Sequence, residues 1–162
     1  MAGFLTSLID NYQSHMERER NRPFLEGVMA ACAMVATVDG KVSFAERVRV
    51  DQILETLEEL KIFDPHEGIE IFNVLTDAIL ENPREGHERA FKAMQHVAQN
   101  PASGTLMVRI CCAISEADGE KTLADEIEIV SLCSRLGIDP TDCGLYVDQP
   151  RENLIDTAPK DT

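Results

Sequence analysis

The sequence predicts an all-α protein, a single-domain bundle of about seven helices built on an internally duplicated helical hairpin with approximate two-fold symmetry. Three observations carry that expectation. Apolar residues recur at helical spacing along most of the chain, and no stretch alternates apolar and polar residues as a half-buried strand would. Helix-start chemistry punctuates the chain at Ser43 with Glu46, Asp64-Pro65, Asn82-Pro83, Asn100-Pro101 and Thr122 with Asp125. Finally, "ATVDGKVSFAE" at 36–46 returns as "SEADGEKTLAD" at 115–125, a constant offset of 79 residues (39 to 118).

Taken in order, Leu5, Leu8, Ile9, Tyr12 and Met16 predict an amphipathic first helix within residues 1–22, its stripe packed on the core. The polar face mixes Glu17 and Glu19 with Arg18, Arg20 and Arg22, whereas a membrane-surface helix favours a uniformly basic one. Pro23 suits the first position of a second helix, Phe24 to about Val38, which is apolar nearly all round and therefore belongs at the bundle centre. A third helix starts at Ser43 and runs through Val50, Ile53, Leu54, Leu57 and Leu60. The fourth carries Ile69, Phe72, Leu75 and Ile79, the fifth Ala90, Phe91, Met94 and Val97, the sixth Leu106, Met107, Ile110, Cys111 and Ile114. A seventh uses Ile129, Leu132, Cys133 and Leu136 and stops at Gly137. Residues 23–146 thus read as one helical domain, and the polar segment 147–162 as a flexible tail.

Composition narrows the function. With 162 residues and 44% hydrophobic content the chain can bury one core. A formal charge of −14 leaves little material for the basic face that nucleic acid requires, so no nucleic-acid partner is expected. Five cysteines, odd in number and without CxxC spacing, read as small core residues in a reducing compartment. The opening "MAGFLTSLIDNYQ" lacks an early basic residue, and the apolar run Gly27 to Val38 is too short to span a bilayer, which together predict a cytoplasmic protein.

The repeated turn is the candidate site. Asp39-Gly40 followed by Glu46 matches the second half of an EF-hand calcium loop. The first half fails, because Val35 and Thr37, and Ile114 and Glu116 in the repeat, occupy the places of the early acidic ligands. Two readings stay open. In one, Asp39, Glu46, Asp118 and Asp125, with Glu116 and Glu126 nearby, converge at one end of the bundle around a divalent cation that offsets their repulsion. In the other, Asp-Gly ends one helix, the Ser or Thr caps the next, and no ligand is involved. The scattered histidines His15, His66, His87 and His96 form no HExxH and pair with no Cys at ligand spacing. No nucleophile with a nearby base and no phosphate-binding Gly loop appears, so an enzyme is not expected.

The segments "FLEGVMAACAMVATVDGKVSFAER", "LEELKIFDPHEGIEIFNVL" and "ADGEKTLADEIEIVSLCSRLGIDPTDCGL" resemble the TerB-like tellurite-resistance family over about residues 20–146. The resemblance implies an all-helical, duplicated, non-enzymatic cytoplasmic component of a bacterial tellurite-resistance and stress-response system. It implies protein partners, a TerC-like membrane protein and TerD-like calcium-binding proteins, that bring it to the inner face of the membrane only indirectly. It also points to a divalent cation at Asp39, Glu46, Asp118 and Asp125; the alternative is a TerB-like interaction module with purely structural acidic turns. Two departures weaken a tight metal site: Lys41 and Arg47 flank the first turn, and Asp125 stands where the family favours Glu.

Overall fold

The computed structural model describes residues 2–117, 119 and 123–145, and the expected tail at 147–162 lies outside them. Six α-helices run in the order α1 Ala2–Ala36, α2 Phe44–Thr56, α3 Pro65–Glu81, α4 Pro83–Ala98, α5 Pro101–Ser115 and α6 Leu123–Leu136. Short 3-10 turns at Glu58–Leu60 and Pro140–Cys143 complete the path, and the described residues contain no strand.

The helix starts follow the cap chemistry. Asp64, Asn82 and Asn100 accept from the backbone N–H of His66, Glu85 and Ser103 at 3.0, 3.4 and 3.2 Å, each with proline at the next position, where a missing N–H costs nothing. Asn82 ends α3 and begins α4, so the two must turn back on each other within one residue.

The seven expected helices become six because Pro23 lies inside α1 instead of opening a second helix. Proline there removes the N–H that would bond the carbonyl of Glu19. Glu19 is exposed, so its carbonyl is open to solvent instead of being buried without a partner, and the helix tolerates the loss. The expected packing of the N-terminal stripe on the core is also corrected. Every residue from Gly3 to Glu17 is exposed, so the first four turns of α1 extend past the bundle. A second difference concerns the third helix, which stops at Thr56 rather than reaching Leu60. Leu57 is extended (φ −74°, ψ 121°), and the following 3-10 turn aims Leu60 and Phe63 into the core.

From Gly27 to its end at Ala36, α1 is buried on every side. It runs through the centre, packed by α3, α4 and α5, with α6 and the first 3-10 turn closing the remaining gaps. Where α1 leaves the core, Arg18 Nη2 bridges to Glu67 Oε1 of α3 at 2.6 Å. Arg135 of α6 stacks over Phe91 of α4, 3.9 Å from the ring centre.

At the α3–α4 corner backbone lies directly against backbone. A Cβ on Gly86 would stand 2.6 Å from both the Cα and the backbone N of Ile79, which cannot move as a side chain can. Gly86→Ala is therefore expected to destabilise by about 1–3 kcal/mol. Gly3→Ala, with nothing within 4 Å on an exposed helix, is expected to leave the melting temperature unchanged or slightly higher. Thermal melts of the two variants beside the parent check both.

Candidate functional site: the duplicated turn

The repeat in the sequence is a repeat in the backbone. At the end of α1, the N–H groups of Thr37, Val38 and Gly40 bond the carbonyls of Ala33, Val35 and Thr37 at 3.2, 3.3 and 3.0 Å. At the end of α5, 79 residues on, Glu116, Ala117 and Gly119 bond Cys112, Ile114 and Glu116 at 3.2, 3.1 and 3.0 Å. Gly40 and Gly119 have φ of 84° and 85°, the left-handed region that any other side chain would strain. The helices then restart in register at Phe44 and Leu123. The surroundings differ, since α1 is enclosed by α3 and α4 while α5 stands further out, so the duplication is a property of the hairpins and not of everything around them.

In the first copy the acidic residues act on the backbone. Ser43 Oγ accepts from the N–H of Glu46 at 3.1 Å, and Glu46 Oε2 accepts from the N–H of Ser43 at 3.2 Å, a complete capping box. Asp39 is exposed, and its Oδ1 accepts a long 3.4 Å bond from the N–H of Lys41. Arg47 turns away to Asn73 of α3, donating to its Oδ1 at 2.9 Å. Asp125 sits half-buried in the first turn of α6. Asp118 and the expected cap Thr122 lie outside the described residues. Among the described residues no group of three or more His, Cys, Asp or Glu side chains is arranged to hold a metal ion. Val35 and Ile114 are buried in the core, and Thr37 donates its hydroxyl to the Ala33 carbonyl at 2.7 Å, so none of the three can act as an EF-hand ligand.

One feature of the turn escapes a reading focused on carboxylates. The first residue of each restarted helix is a large apolar side chain facing solvent, Phe44 at 82% exposure and Leu123 at 72%. One turn on, Val48 and Ile127 are exposed as well, again at matching positions of the repeat. The signal was present in the alignment of the two copies, where both pairs match as apolar residues although both fall outside the buried stripe of their helices.

A groove of about 530 Å³ opens between α1, α3 and α4, with Arg22, Arg89, Glu26 and Glu70 over an aliphatic floor that includes Ile71. Neither a nucleophile nor a histidine lines it. The thiols lie elsewhere, with Cys111 within electrostatic reach of Cys32, Cys112, Cys133 and Cys143. Cys32, Cys111, Cys133 and Cys143 are buried. Burial pushes the Cys32 and Cys133 thiols up to about 12 and raises Cys111 and Cys143. They are protonated, unreactive core residues at neutral pH.

Such geometry defines a class: a small helical domain whose distinguishing part is a duplicated, glycine-turned, side-chain-capped hairpin, with a solvent-facing apolar pair in each copy. Within that class the chain belongs to the TerB family, since the family model described as tellurite resistance protein TerB matches residues 25–146. It is 31% identical over 108 residues to a tellurium resistance protein TerB of Alcaligenes sp, a match covering 67% of this chain and 88% of that relative. No solved structure matches. The family match begins at Leu25, where α1 has just entered the core, and leaves the projecting turns outside it.

The raised thiols give a pH dependence. Their ordinary value is 9.0, so above pH 9 the unfolded chain loses thiol protons that the folded chain keeps. Stability is therefore full below about pH 9 and falls as pH rises toward 12, by about 1.4 kcal/mol per pH unit for the fully buried Cys32 thiol, with the other raised thiols acting in the same direction. Denaturation between pH 8 and 10.5 should show this fall, and Cys32→Ala should make it shallower than in the parent.

Proposed function

We propose that this TerB-family chain is a non-enzymatic, cytoplasmic component of a bacterial tellurite-resistance system that works by docking protein partners. The observation that carries this reading is the pair of exposed apolar positions at the head of each repeated helix, Phe44 with Val48 and Leu123 with Ile127. Leaving a Phe and a Leu almost fully in water does nothing for the fold of a lone chain, and its recurrence at matched positions favours two equivalent contact points. A TerC-like membrane protein and TerD-like calcium-binding proteins are the partners in keeping with the family. Membrane association would then be indirect, and no helix among the described residues is long and apolar enough to cross a bilayer. The mixed charge of the groove, without a nucleophile, supports docking over turnover.

The test is survival on tellurite in a strain whose resistance depends on this protein. Phe44→Asp with Leu123→Asp should melt within about 1 kcal/mol of the parent, because both side chains are exposed, yet lose resistance. Resistance at the parent level with both residues changed would remove the docking reading.

A second reading, a divalent cation held by Asp39, Glu46, Asp118 and Asp125, draws on the matched geometry of the two turns. Asp39→Asn with Asp118→Asn keeps the hydrogen bonding that a turn uses and removes two charges. If a cation binds there, the parent gains about 2.7 kcal/mol at a hundredfold excess of metal over its dissociation constant and the double variant does not. Equal melting of both proteins with metal and with chelator assigns the carboxylates to the turns alone, the outcome that the complete capping box at Glu46 favours.

A further inference from the structure

We propose that the projecting half of α1 pairs with the same segment of a second copy, antiparallel, in a two-fold dimer. The segment is a helix with an uncovered apolar face. Phe4 (70% exposed), Leu5, Leu8, Ile9, Tyr12 (65%) and Met16 all face solvent. At about 100° per residue they form a stripe roughly 140° wide, broad enough for a helix–helix seam.

The surface available fits a dimer. These six residues expose roughly 600 Å² per copy, so pairing two stripes buries at most about 1,200 Å², which reaches the lower bound of a stable, specific interface only if the whole stripe is covered. The register follows from the spacing. About a two-fold axis at residue 10, Phe4 stands opposite Met16 and Leu8 opposite Tyr12, so aromatic, thioether and aliphatic groups meet across the seam.

Charge selects both the partner and the direction. From Met1 to Met16 the one formally charged side chain is Asp10, which the helical spacing places on the face opposite the stripe, while His15 falls within the stripe, where the register sets it opposite Leu5. Two such stripes meet without like-charge contact. An anionic bilayer is a poor occupant, because the segment has no Lys or Arg before Arg18 and the chain carries a net −14. Parallel pairing would set two bodies of charge −14 side by side. In the antiparallel register the two Arg18 positions, where the bodies begin, are about 24 Å apart along the axis. That is about three screening lengths of ~8 Å at physiological salt.

Sedimentation equilibrium of the full chain is the test, with small-angle scattering for the arrangement. The expected result is a concentration-dependent species of twice 18.0 kDa whose scattering shows two separated lobes. Leu8→Glu with Tyr12→Glu should raise the dimer dissociation constant about a hundredfold or more while the melting temperature of the separated chains is unchanged. A parent that stays monomeric at hundreds of micromolar overturns the proposal, and so does a double variant that dimerises equally well. A compact single-lobed dimer overturns the antiparallel arrangement. Binding of the monomeric parent to phosphatidylglycerol vesicles through this stripe would assign the face to lipid instead.

Discussion

The fold depends on the burial of one helical segment. From Gly27 to Ala36 no residue of α1 reaches solvent, and a helix that is apolar on all sides is stable in water only when neighbours cover all of it. That requirement explains the arrangement around it. Helices α3, α4 and α5 are joined by connections of one or two residues, so they fold back on one another and wrap the central segment. Gly27 has no side chain because Val97 of α4 occupies the space, where a Cβ would stand 2.2 Å from a Val97 methyl carbon. The cysteines belong to the same economy of space. Cys32, Cys111 and Cys133 fill the junction of α1, α5 and α6 as small apolar groups, and their raised proton affinity is a consequence of that burial.

The turns bound this segment on sequence grounds alone. Asp-Gly and Ser-x-x-Glu are local signals, decided within four residues by left-handed backbone and by side chain to N–H bonds, so the sequence and the structure agree there. The three Asx-Pro helix starts were legible for the same reason. Pro23 was not, because a proline at the first position of a helix and a proline deep inside one look alike locally. The exposure of Glu19, the residue whose carbonyl loses its helical partner, decides between them, and exposure is a tertiary property. Leu57 and Leu60 kept the helical spacing of α2 while the chain changed conformation between them, since period alone cannot see a 3-10 turn that delivers the same side chains to the core.

The candidate site shows the same division. That Glu46 would cap α2 was readable from the sequence, and so was the burial of Val35 and Ile114 that breaks the EF-hand pattern. Which apolar residues would lack a cover was not. Helical periodicity marks a face as apolar and says nothing of what lies against it. The stripe of Leu5, Leu8, Ile9, Tyr12 and Met16 therefore reads as ordinary core until its exposure is known, whereas Phe44 and Leu123 stand off the buried stripes of their helices. The family match, over residues 25–146, covers the pairs at Phe44 and Leu123 and leaves the stripe of the projecting segment outside it.

Because α1 is a single 35-residue helix, about 52 Å long, its two ends are mechanically joined. The outer end carries the uncovered stripe, and the inner end terminates at Asp39-Gly40. The Arg18–Glu67 bridge stands between them as a fulcrum, close to the point where Pro23 leaves one rung of the helical ladder open and the rod most compliant. The rod is therefore a cantilever, clamped on all sides over its inner third and free over its outer half, with its one missing backbone bond between the two.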